Sequence, residues 1–157
     1  MKKWFWYLLA IWALPVVLFS WLSTVVFWAT GQLKFLRHEG ILVEFSVVPD
    51  SWFYNKFWAG RWAGVCVGLV IWYADGYHEN EFVVKHERRH AMQSMVFGIF
   101  QPILYVLHSV YLWIFRHDLH AYLNNAFEED ARRAAGQKVE LTKDEWMDGP
   151  QDRWPWW

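Results

Sequence analysis

The run AMQSMVFGIFQPILYVLHSVYLWIF, residues 91–115, contains no formally charged side chain, and the fold turns on how it is read. Hydropathy alone makes it a membrane span, because about 20 consecutive apolar residues suffice to cross a bilayer. One straight helix would carry the segments before and after it to opposite sides of the membrane. Gln93, Ser94, Gln101, His108 and Ser109 argue against lipid on every side, and Gly98 with Pro102 offers a place to turn. The expectation is therefore two antiparallel helices joined near residues 98–102, their apolar outer surface resting on the membrane.

The segment before this run is Lys85-His86-Glu87-Arg88-Arg89-His90, an H-E-x-x-H pattern. On a helix, residues four apart share a face about one turn apart, so the imidazoles of His86 and His90 can converge on one metal ion. Glu87 is then placed to take a proton from a metal-bound water. Asn80 is a favourable N-cap type and Glu81 suits the first turn, so the helix is expected to start there. Met92, Met95, Val96 and Ile99 follow i, i+3, i+4, i+7 spacing and are read as its buried stripe. The competing interpretation is a solvated helix on which Glu87, Arg88 and Arg89 are ordinary surface charges.

After the apolar run come Arg116-His117-Asp118-Leu119-His120, then a third helical stretch through Phe127 to Ala135, with Gly136 as C-cap. That stretch carries Glu128-Glu129-Asp130. Three protein ligands plus a water form the open arrangement of catalytic zinc, two histidines and a glutamate being one common set. The acidic helix can serve only if the chain folds back between residues 91 and 115. The metal reading and the straight-span reading exclude each other.

Farther upstream, Trp4 to Gln32 is free of charge and longer than a bilayer requires, with Trp4 and Trp6 at one end and Trp28 at the other. It reads as an uncleaved single-pass anchor. The alternative, a signal peptide, has Lys2-Lys3 in its favour but an overlong apolar run and no clear cleavage site. Ile41 to Val48 reads as a strand stopped by Pro49-Asp50-Ser51. Trp52 to Ala59 is a second candidate strand, and Trp62 to Tyr73 a continuous apolar one closed by Ala74-Asp75-Gly76. Gly64, Cys66 and Gly68 fall on one face of this last strand, leaving room for a helix or an extended substrate. The tail, Gln137 to Trp157, has little periodicity.

Net charge is −1, from 15 basic and 16 acidic residues, which gives no electrostatic footprint for nucleic acid. The single cysteine excludes a disulfide framework and a thiolate metal cluster. The 14 Trp, 12 Phe and 7 Tyr suit a membrane–water boundary.

His86-Glu87-Arg88-Arg89-His90-Ala91-Met92-Gln93, followed by Asn125-Ala126-Phe127-Glu128-Glu129-Asp130-Ala131, resembles the small gluzincin-type zinc metallopeptidases of bacteria and their phages. In those, H-E-x-x-H with a following x-x-Q is paired with a downstream N-P-F-E-x-E-A-like helix. The resemblance covers roughly residues 62–136. It implies zinc held by His86, His90 and Glu128, with Glu87 as general base; Glu129 is the alternative third ligand. Ala126 replaces the usual proline and Asp130 the second glutamate. Arg132 stands where some related peptidases carry an aspartate.

The expected architecture is α+β: a membrane anchor at 1–33, a zincin-like domain at 34–136 and an irregular Trp-rich tail at 137–157. The domain combines a β-sheet of two or three strands with the H-E-x-x-H helix and an antiparallel helical hairpin. The expected activity is zinc-dependent hydrolysis of peptide bonds in a peptide or protein substrate at a membrane. His117, His120 and Tyr122 are candidate transition-state stabilisers. The alternative is a non-catalytic, membrane-associated binding protein with a structural or vestigial zinc site.

Overall fold

The structure, a computed structural model, describes residues 11–58 and 62–139. Among the described residues, four α-helices and a four-stranded sheet make up a mixed α+β fold. Helix α1 (Leu14–Ala29) leads into strand β1 (Leu33–Glu39) and strand β2 (Leu42–Val47). A π-helical turn at Tyr54–Trp58 precedes strand β3 (Gly64–Val67) and strand β4 (Val70–Tyr73). Helices α2 (Glu81–Phe97), α3 (Phe100–Phe115) and α4 (Ala126–Ala135) follow.

The sheet order is β1-β2-β4-β3, with antiparallel hairpins at each side joined by a parallel β2–β4 pair in the centre. Because side chains alternate, Val43, Phe45, Val47, Val70 and Trp72 fall on one face. There they pack with Phe27 of α1 and with Phe53 and Trp58 of the π-helical segment. The opposite face carries Glu44 and Gly64, and it receives α2 through Arg88 and Glu87.

Three strand expectations are corrected. The sheet has four strands rather than two or three, because β1, with its charged Lys34, Arg37 and Glu39, pairs with β2 across a turn at Gly40 (φ +62°). The 62–73 run is a hairpin, not one strand. Gly68 adopts φ +62°, and the Gly68-Leu69 turn lies under α1, with Val16, Val17 and Ser20 against Gly68. A turn covered by a helix carries no polar residues to announce it. Residues 52–58 are helical rather than extended, as Ser51 Oγ accepts the Tyr54 N–H at 3.1 Å and starts the turn; Ala59 lies outside the described residues.

Helix α2 begins where expected, with Asn80 Oδ1 accepting the N–H groups of Phe82 and Val83. Its buried side differs from the expected stripe. Met95 is buried, but Met92, Val96 and Ile99 face outward, and the inward positions belong to His86, Glu87, His90, Gln93 and Ser94. Gly98 (φ +55°) ends the helix, and α3 leaves with a bend of 110°. The expected antiparallel hairpin is therefore an open corner. The chain still returns, because the 116–125 connection brings α4 back against α2.

Among the described residues no single helix is long and apolar enough to cross a membrane; α2 and α3 pass that test only as a bent pair, by length and composition. Residues 1–10 of the expected anchor and 140–157 of the expected tail lie outside the described residues. What is described of the anchor does not stand apart from the domain: Thr24 Oγ1 accepts the Trp72 Nε1–H at 3.0 Å, and Val17 packs with Leu69, Ala91 and Met95.

Candidate metal centre

Helix α2 projects His86 and His90 from one face, and α4 projects Glu128 from its first turn. Asn125 sets that turn. Its Oδ1 accepts the Phe127 N–H at 3.0 Å, while its Nδ2 donates to Tyr105 O and Ser109 Oγ of α3 at 2.9 and 2.7 Å. One side chain thus starts α4 and fastens it to α3. The result is a buried group of His86, His90 and Glu128 that can hold a metal ion.

The donor atoms fit such an ion. His86 Nε2 and His90 Nε2 lie 3.1 Å apart, His86 Nε2 and Glu128 Oε2 3.2 Å, and His90 Nε2 and Glu128 Oε1 3.3 Å. Donors about 2.0–2.2 Å from a tetrahedral zinc are separated by roughly 3.3–3.5 Å, so small outward shifts would accommodate it.

The tautomer of His90 follows from its neighbours. Gln93 Nε2 donates to Phe127 O at 2.9 Å and to Asp130 Oδ2 at 2.8 Å, which turns Gln93 Oε1 toward His90 Nδ1 at 2.8 Å. Nδ1 therefore carries the hydrogen, and the Nε2 lone pair points into the cluster. Asp130 is itself held by a two-pronged bond from Arg89, at 2.7 and 3.0 Å. His86 Nδ1 has no such partner among the described residues.

The electrostatics are those of competing acids and bases. Burial disfavours the charged form of Glu128, yet the hydrogen bonds from His86 and His90 outweigh it and hold the carboxyl well below its usual range. Burial likewise lowers His90, but Glu128 raises it more strongly, to about 9. The proton so held competes with a cation for the same lone pair.

Glu87 is buried beside Gly64. A Cβ on Gly64 would meet Glu87 Cγ at 2.7 Å, and the carboxylate accepts the backbone N–H of Cys66. Burial pushes the Glu87 carboxyl up, with Glu128 adding to the rise and the two histidines opposing it. A carboxyl raised in this way suits a group that both takes and gives a proton.

The remaining candidates divide. Glu129 lies outside the cluster; its Oε1 is 3.5 Å from Asn124 Nδ2. The Tyr122 hydroxyl reaches the Glu128 carboxylate. His120 Nδ1 accepts the N–H groups of Tyr122 and Leu123, so this ring shapes the 120–124 turn. His117 is exposed. Arg132 is buried and donates to Leu123 O, and to Val139 O at 3.4 Å, pinning the same turn from below. Tyr105 was not foreseen; its hydroxyl donates to Glu128 Oε1 at 2.9 Å. The available signal was the spacing Tyr105, His108, Ser109, Leu112, a mostly polar stripe on an otherwise apolar helix.

No family model matches the chain, and neither a curated protein nor a solved structure matches it.

Proposed function

We propose that the chain is a membrane-associated, zinc-dependent peptidase of gluzincin type. The observation that carries this reading is the convergence of His86, His90 and Glu128 with a buried, separately held carboxylate, Glu87, next to them. A zinc ion, when bound, polarises a carbonyl and brings the pKa of a water toward about 7. Glu87 takes the water's proton on its carboxylate and passes it to the leaving amine. Gly64 leaves the space it occupies, and the Cys66 N–H orients it. Tyr105 and Tyr122 orient Glu128, and each hydroxyl can turn toward a developing oxyanion. The outer edge of β3 suits an extended peptide laid antiparallel to it. A non-catalytic metal site would not require a buried carboxylate beside the ligands without joining them.

The test is zinc content and hydrolysis of a denatured protein substrate by purified full-length chain. Wild type should carry one zinc, and His86→Ala and Glu128→Ala should lose it. Glu87→Gln should keep zinc and lose hydrolysis by at least a hundredfold. Zinc-free wild type ends this reading, and a zinc-loaded but inactive wild type leaves a structural site.

A further inference from the structure

Helices α1 and α3 are built inside out. Along α1, Ala13, Val17, Ser20 and Thr24 recur at intervals of four, three and four and face the protein, Ser20 and Thr24 being 0% and 1% exposed. Phe19 and Leu22, on the other side, are 69% and 70% exposed. Along α3, the inward stripe is Tyr105, His108, Ser109 and Leu112, while Ile103, Val106, Leu107, Val110 and Ile114 point away. In water this arrangement has the wrong sign, since burying a Leu or Phe is worth about 1.5–3 kcal/mol and here it is forgone repeatedly. In hydrocarbon it has the right sign, because small and polar residues pack helices together there and large apolar ones meet lipid. No charge interrupts residues 11–33 or 91–115, and Trp12, Trp28 and Trp113 lie near the helix ends. The two surfaces join where the rings of Trp12 and Phe100 stand 5.9 Å apart. On the membrane-associated reading, their occupant is the bilayer.

That places the metal centre. Tyr105 spans α3 from a lipid-facing helix to Glu128, so the ligands lie about one helix diameter, roughly 10–12 Å, from hydrocarbon. The edge strand runs between the same two landmarks. Ala74 N–H donates to Ala63 O, so the alternation of the ladder leaves Gly64 and Cys66 with outward backbone groups. Glu87 takes the Cys66 N–H; the Gly64 N–H and both carbonyls have no strand beside them among the described residues. Gly64 lies against Glu87, and Gly68, four residues on, lies against Val16, Val17 and Ser20 of α1. Four residues of strand cover about 13 Å. A peptide paired with β3 at the Glu87 carboxylate therefore reaches the inward side of α1, the helix whose other side is apolar, about four residues later.

We propose that the substrates are membrane-inserted polypeptides, cut within about four to six residues of the point where they leave the bilayer. This rests on the peptidase reading and adds the substrate class.

The test uses zinc-loaded, full-length chain in lipid nanodiscs and one peptide sequence in three forms: free, fused directly to a transmembrane segment, and fused through a 20-residue flexible spacer. The directly fused form should be cut at least tenfold faster than the free form. Its cuts should keep their distance from the bilayer when the sequence is shifted by three residues. Equal cutting of the free peptide, or cut sites that follow the sequence and ignore the bilayer, overturns the inference and leaves the peptidase. No cutting of any form, with zinc bound, removes both. A nitroxide at Leu107→Cys, in a Cys66→Ala background, should report lipid contact; spin–spin broadening would instead show a second copy over this face and overturn the lipid assignment.

Discussion

Tyr105 Oη donates to Glu128 Oε1 across 2.9 Å, joining a helix with an apolar outer surface to the carboxylate of the candidate metal centre. A hydrogen bond to a charged group contributes about 1.5–3 kcal/mol, and partners of metal ligands commonly account for 10–100-fold in affinity. Tyr105→Phe should weaken zinc binding by about tenfold while the chain stays folded. Competition with a chromophoric chelator reads this directly; an unchanged Kd would mean the hydroxyl does not position the ligand.

Gln93 has three polar commitments, to His90, Phe127 O and Asp130. Gln93→Leu strands a buried ring N–H and a carbonyl, which costs about 1–3 kcal/mol. The expected result is a lower melting temperature and a 10–100-fold loss of zinc affinity. Asp130→Asn should show a milder form of both, since it loses the ion pair with Arg89 but keeps an oxygen toward Gln93.

Gly64→Ala places a methyl 2.7 Å from Glu87 Cγ, inside van der Waals contact. The carboxylate must move, and a shift of about 1 Å at a reacting group can lower the rate on the order of a hundredfold. Zinc content should be unchanged and hydrolysis sharply reduced. Loss of zinc together with activity would show that the strand supports the ligands and not the base.

Glu44 is almost fully buried on β2, where Arg37 reaches it at 2.6 Å and Arg88 at 2.8 and 3.0 Å. Arg88 belongs to the H-E-x-x-H turn, so this cluster fixes α2 against the sheet. Both arginines keep solvent access, so Glu44→Gln should cost less than the roughly 3–5 kcal/mol of a sealed pair, about 1–2 kcal/mol. Urea unfolding in mild detergent measures it. Wild-type stability would show that packing alone holds the helix.

Local chemistry was readable. Asn80 and Gly136 marked helix ends where the structure has them, and the spacing of His86 and His90 implied convergence before any third ligand was known. The failures have separate physical causes. Periodicity says that Met92, Val96 and Ile99 lie together, not which side is inside, and here the polar side carrying His86, His90 and Gln93 is the buried one. Arg89 with Asp130 and Tyr105 with Glu128 connect positions 41 and 23 residues apart, and no local pattern encodes a helix–helix angle. The β3–β4 turn escaped notice because α1 covers it.

The bond from Trp72 to Thr24, and the packing of Val17 on Ala91 and Met95, have a practical corollary. Deleting the first 32 residues is the ordinary route to a soluble fragment of a membrane enzyme. In this chain it would strip the cover from Leu69, Trp72 and the back of the histidine helix together. The shortened chain should aggregate on expression, and co-expressing residues 1–32 as a separate peptide should rescue it. The apolar first helix is a wall of the domain that carries His86, His90 and Glu128, and the two fold as one.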